Sequence, residues 1–185
     1  MSVATSPAPV ALDADQLAQF KEQGYLVLEG FIEPELNEQL KREVDTWVGG
    51  GPLHDPYAAT PRPAPGADKP RLQLELPEHG MLISHPPLMA RLEQLMGSGF
   101  AFHHLHTARH DAGSHGVHWH HDYEQTPQVN RTHVMVHVFY YLNGLDGTIG
   151  DLMVLPKSHR EVFERGLFGT LFGTADLPGS VTIDR

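Results

Sequence analysis

Val117-His118-Trp119-His120-His121-Asp122-Tyr123-Glu124 is the stretch on which the interpretation of this chain turns. Imidazoles and carboxylates fall at every second position, at His118, His120, Asp122 and Glu124. Alternate side chains of a β-strand point to one face, so as a strand this segment converges all four on one place. Val117, Trp119 and Tyr123 take the opposite face, where they can pack. A histidine and a carboxylate two residues apart supply two of the three ligands of a facial non-heme Fe(II) site. A solvated polar strand that binds nothing is the competing interpretation. For an isolated His-x-Asp it is the better one, so the context decides.

The composition narrows that context. A chain of 185 residues fits one domain with a genuine core. Its net charge of −10 argues against a nucleic-acid partner or an anionic membrane surface. No apolar run approaches a membrane span, and no basic stretch followed by an apolar one marks a signal peptide. With no cysteine there are neither disulfides nor thiolate metal ligands, which agrees with an expected cytoplasmic location. Fourteen histidines are present, and ten fall between His103 and His137, a concentration that general composition does not explain. The same strand also holds His118, His120 and Glu124 in the His-x-His-x3-Glu pattern of cupin-type metal sites.

Residues 1–12, rich in Ala, Pro and Val, read as a flexible tail, and 13–185 as a single domain. Asp13 with Gln16 forms a capping box, Leu17 and Phe20 give a short helix its apolar face, and Gly24 ends it. Tyr25-Leu26-Val27-Leu28 reads as a strand. Pro34 starts a second helix with Leu36, Leu40, Val44 and Trp47 at helical spacing, stopped at Gly49. Residues 51–69 form a long loop dominated by Pro, Gly and Ala. Arg71 to Leu76 alternates as a half-buried strand should. Leu88, Leu92 and Leu95 mark another helix, closed by Gly97. Strands are then expected at Phe102–His110, Val117–Tyr123, His133–Leu142, Leu152–Leu155 and Val181–Asp184. A capping box at Ser158 and Glu161 starts a short helix through Val162 and Phe163. Helices first and strands afterwards predict a β-sandwich or barrel with helices packed outside.

Gly150-Asp151-Leu152-Met153-Val154-Leu155-Pro156-Lys157-Ser158-His159-Arg160 is the third landmark, after the Phe20–Phe31 stretch and Trp119-His120-x-Asp122. In this order the three resemble the phytanoyl-CoA dioxygenase family of Fe(II)- and 2-oxoglutarate-dependent oxygenases, from roughly Gln16 to the end of the chain. Gly150, Leu152, Val154, Pro156, Ser158 and His159 match the family's Gly-x-Leu-x-Val-x-Pro-Gly-Ser-His, and Lys157 replaces its second Gly. The resemblance implies a mainly β domain with flanking helices, a double-stranded β-helix or jelly roll. It implies Fe(II) and 2-oxoglutarate as cofactors, and hydroxylation of a small organic molecule. By resemblance His120 and Asp122 are the first two iron ligands, and His159 is a structural histidine of its turn. Phe139 stands where many relatives carry a pocket Trp. His104 and His106 lie where relatives place co-substrate contacts, with Arg71 and Gln73 weaker candidates for that role. His118 becomes a group that orients Asp122, or is merely solvated. Halogenating relatives have a small residue in place of the carboxylate, so Asp122 favours hydroxylation.

The family's distal His, and the Arg beyond it that anchors 2-oxoglutarate, have no match: no histidine follows His159. The expectation is therefore a jelly roll incomplete at its C-terminal end, in a chain cut short and impaired in activity. Two alternatives stay open. One is a non-catalytic jelly-roll binding module descended from an oxygenase. The other is a cupin-type metal protein using His118, His120 and Glu124. Substrate identity and oligomeric state are not specified.

Overall fold

Asp13 opens the first helix as its sequence predicts. In the computed structural model, which describes residues 11–48, 72–113, 116–121, 133–160 and 176–184, its side chain accepts from the Gln16 amide at 2.8 Å. The Gln16 side chain accepts in turn from the Asp13 amide at 3.0 Å. Helix α1 runs Ala14–Gln23 and closes at Gly24, whose left-handed φ of 85° a side chain would resist. Leu12 is buried, and its amide and carbonyl are both held by the Gln94 side chain at 2.7 and 3.1 Å, so the packing takes in this residue of the expected tail.

Helix α2, Pro34–Val48, buries Leu40, Val44, Trp47 and Val48, the face that its apolar spacing predicts. Val44, Trp47 and Val48 form a core cluster with Leu76, and Leu142 packs against it. The Asn37 side chain donates to the Leu142 carbonyl at 2.9 Å, which ties α2 to the later half of the chain. Helix α4, Pro86–Met96, ends at Gly97 as expected. Strands β1 (Leu152–Val154) and β2 (Val181–Ile183) pair antiparallel with Met153 opposite Thr182, within the two segments expected to be strands.

Among the described residues, the other expected strands are not formed. Gln73–Glu75 is a 3₁₀ turn that leads straight into α3, Pro77–Leu82, a helix the alternation of Leu72, Leu74 and Leu76 concealed. Proline at its first position pre-sets the helical φ, and Glu43 on α2 supplies the cap. Its carboxylate accepts the amides of Glu78 and His79 at 2.9 and 3.0 Å and the His79 Nδ1–H at 2.7 Å. Residues 25–28, 102–110, 117–121 and 133–142 are neither helix nor strand. Among the described residues there are four α-helices, two 3₁₀ turns and one two-stranded ladder, so of the expected mainly β jelly roll with flanking helices they show the helices and a single antiparallel pair. Alternation reports only that a segment suits a half-buried pleated surface; a strand also needs a paired neighbour. Several side chains of these segments stay exposed, among them Phe102, Val117, Val134 and Phe139. No helix of the described residues is long and apolar enough to cross a membrane.

The Pro-Lys-Ser-His turn docks on the end of α1. Lys157 N–H donates to the Gln23 carbonyl at 2.8 Å, and His159 Nε2 and Arg160 both donate to the Lys21 carbonyl at 3.2 Å. These bonds take up carbonyls that the last turn of a helix leaves without partners. Lys157 is the one non-glycine residue with positive φ among those described, at 67°, where the family pattern has Gly. An added Cβ at Gly24 would run into the His159 ring, so this glycine also admits the turn.

Burial works against ionisation of Glu43, but the Glu78 amide, the His79 side chain and the His79 amide outweigh it and hold the carboxyl below its ordinary value. A carboxylate depressed in the folded state adds stability that is present at neutral pH and lost as pH falls through the folded value. Glu43→Gln should therefore cost about 1.5–3 kcal/mol at pH 7 by urea denaturation, with the gap from the parent closing in acid. Lys157→Gly should leave stability unchanged or raise it by up to about 1 kcal/mol in the same assay. The lost Lys157–Glu22 pair at 3.4 Å is exposed and contributes little.

Candidate functional site

The histidine-bearing segment 102–110 is held without a sheet. Gln73 Nε2 donates to the Thr107 carbonyl at 2.8 Å and its Oε1 accepts the Thr107 amide at 2.9 Å, the two bonds an adjacent strand would offer. Gln73, a sequence candidate for co-substrate binding, thus spends its amide on positioning. Two residues on, Arg109 bonds Asp45 of α2 at 3.1 Å and clasps Asp111 at 3.1 and 3.3 Å. The Asp45 bond, and then Asp111, hold its guanidinium above the usual arginine value against opposing desolvation, so the positive charge is fixed.

Along this segment the rings form a row. His103 and His104 meet edge to face with centroids 4.7 Å apart, and their Nδ1 atoms are in contact. His104 lies 6.2 Å from His137, which stacks on Phe139 at 6.3 Å with planes 24° apart. Two sequence candidates, His104 and Phe139, are therefore brought into one arrangement, and His137 joins them. In the sequence, the one sign of His137 is the period of two in His133–Leu142, which places it on the same face as Phe139. Phe139 is 58% exposed, which excludes the core role its apolar character otherwise favours. His106 stands beside the row. Desolvation by the atoms packed around it, and then the neighbouring charges of His104 and His110, push its pKa below the ordinary imidazole value. It is therefore neutral at pH 7, with one ring nitrogen to donate and one to accept.

His118 and His120 are exposed and Trp119 half-buried. His120 Nδ1 lies 2.7 Å from the His118 carbonyl. A carbonyl only accepts, so Nδ1 carries the proton and the lone pair sits on Nε2. Metal-ligating histidines are commonly fixed in this tautomer, with the second nitrogen bonded to a carbonyl. The donor chemistry of His120 thus fits a metal ion. Asp122, Tyr123 and Glu124, with Arg71, lie outside the described residues. Among those described, no three His, Asp or Glu side chains come together so as to hold a metal ion. His159 is engaged at the end of α1, as its expected structural role requires. A groove of about 220 Å³ between α2 and α3 is lined by Gln39, Arg42, Glu43, Thr46, Pro77 and Glu78, none of them a candidate.

Gln73→Ala should release the 102–110 segment. The expected result is a loss of about 1–3 kcal/mol of stability and faster hydrogen exchange at the Thr107 amide, read by NMR.

Among known families, the model described as phytanoyl-CoA dioxygenase (PhyH) matches residues 20–167. No curated protein and no solved structure matches the chain significantly.

Proposed function

This chain belongs to the phytanoyl-CoA dioxygenase family, and on that premise we propose that it is an Fe(II)- and 2-oxoglutarate-dependent dioxygenase that hydroxylates a small organic molecule. The observation that carries the proposal is the Nδ1–H bond of His120 to the His118 carbonyl, an arrangement common among metal-ligating histidines, in a residue two positions before Asp122 in the sequence. In this reading His120 and Asp122 hold the iron. Once bound, Fe(II) and 2-oxoglutarate would supply the oxidising chemistry with O2 as the oxidant: one of its oxygen atoms would enter the succinate formed as the co-acid loses carbon dioxide, and the other would enter the substrate as a hydroxyl group.

The chain's own groups do the rest. The His118 carbonyl fixes the His120 ring, and Asp122 contributes the negative charge that balances a divalent ion. His104 and the neutral His106 offer ring N–H groups to the carboxylates of the co-acid. Phe139 gives that row an apolar end that keeps water from the reacting region. A jelly roll is part of the same proposal. The exposed apolar side chains of 102–141 supply faces that such a sheet buries, and the β1–β2 ladder supplies antiparallel pairing. A cytoplasmic setting agrees with the cysteine-free composition.

Anaerobic Fe(II) titration with and without 2-oxoglutarate tests this, together with succinate formation by the purified chain. His120→Ala and Asp122→Ala should each lose iron binding and turnover. Glu124→Ala should keep both, and His118→Ala, which retains the carbonyl, should cost much less than His120→Ala. Dependence on His118 and Glu124 instead of Asp122 would identify the cupin-type site. Iron binding that ignores the co-acid would identify a binding module.

A further inference from the structure

Phe31, in the connection between α1 and α2, is the centre of a second cluster. His85 meets its ring edge-on at 5.7 Å, Tyr140 stacks at 6.2 Å, and the Arg91 guanidinium carbon lies 4.8 Å above it. Each of these three neighbours carries a polar atom that is sealed from solvent and lacks a hydrogen-bond partner: His85 Nδ1, Arg91 Nε and the Tyr140 hydroxyl. Arg91 donates to the Pro87 carbonyl at 2.7 Å. None of the ion pairs among the described residues includes it. Buried polar atoms are almost always satisfied, and Arg91, though partly exposed, keeps its Nε out of water without a partner. Three orphaned groups thus flank a single ring, and each calls for a partner.

The charges say what kind. Burial, and then the charge of Arg91, hold His85 below the ordinary imidazole value. Burial pushes the Tyr140 hydroxyl up to about 12. At neutral pH the cluster thus presents one fixed positive charge, a hydroxyl proton and a neutral imidazole, with no ion pair to an acid among the described residues. His85 is also the residue that precedes α4, and its side chain makes no cap there. The positive end of that helix adds attraction for negative charge. Pro86 and Pro87 carry no N–H, so the hydrogen bonds must come from the side chains.

We propose that Arg91, Tyr140 and His85, arranged around Phe31, form a binding site for the carboxylate or phosphate group of a small molecule, separate from the metal-binding segment. Adjacent residues serve the two places: Phe139 stacks with His137, whereas Tyr140 turns to Phe31. The site stands independently of the oxygenase proposal, because none of its residues belongs to the His120–Asp122 pair. Arg91 and Tyr140 act as donors to the anion, His85 completes the set, and Phe31 holds the guanidinium over its face.

Calorimetric titration of the full 185-residue chain with inorganic phosphate and, separately, with acetate tests the site. Chloride at equal ionic strength serves as the control, and a chelator is present throughout so that no metal can bind the anion. Saturable binding of phosphate or acetate is expected, with a rise in Tm that chloride does not give. Arg91→Gln should weaken it about tenfold or more, Tyr140→Phe several-fold, and Lys41→Gln not at all. Stronger binding of phosphate identifies a phosphorylated ligand, and stronger binding of acetate a carboxylate. Tyr140→Phe removes a single oxygen, so it decides the matter even if Arg91→Gln fails to fold. Absence of saturable binding of both anions, or binding unchanged in Tyr140→Phe, would overturn the site.

Discussion

A half-buried carboxylate sets the terms for this structure. Glu43 projects from α2 toward α3, where it is 15% exposed and a charge is tolerated only with full hydrogen bonding. It obtains that bonding from two amides at the start of α3 and from the His79 ring. Negative charge at a helix N-terminus is favourable, so the same contact that satisfies Glu43 also caps a helix too short to stand alone. The joint fixes Leu76 against Val44, Trp47 and Val48. Just before it lies Gln73, whose amide registers the histidine segment. The core, the cap and the placement of the candidate site share one short stretch of chain.

Two long-range devices connect the helices to the histidines. Gln73 gives Thr107 the pair of bonds that a sheet neighbour would provide, and Arg109 spans Asp45 and Asp111. The turn at Lys157–Arg160, for its part, satisfies the carbonyls of α1. The family pattern thereby gains a physical meaning. Its glycine before Ser-His is a backbone demand, met here by Lys157 at φ 67°, and its histidine is a helix cap. Neither needs to touch the metal.

The parts of the fold legible in the sequence are those whose causes are local. Asp13 and Gln16 lie within one turn of each other, and Gly24 and Gly97 end helices through their own backbone freedom. The face of α2 follows from spacing alone. Arg71–Leu76 misleads for a definite reason: its alternation is genuine, yet Pro77 and the distant Glu43 make a turn and a helix the better use of it. In the site, the tautomer of His120 and the row from His103 to Phe139 require knowing which backbone and rings meet. Only the period of two that unites His137 with Phe139 was there to be read.

By itself, the sequence determined the capped helices, the β1 and β2 segments and the three landmarks that carry the family. These depend on residues near one another in the chain, or on the order of motifs along it. Tertiary structure alone decided that Gln73 clamps Thr107 and that His159 caps α1. It also decided that Arg91, His85 and Tyr140 surround Phe31 with their polar atoms unmet. In each case the deciding partner lies far away in sequence. Which donor finds which acceptor is a property of packing, which no local pattern encodes.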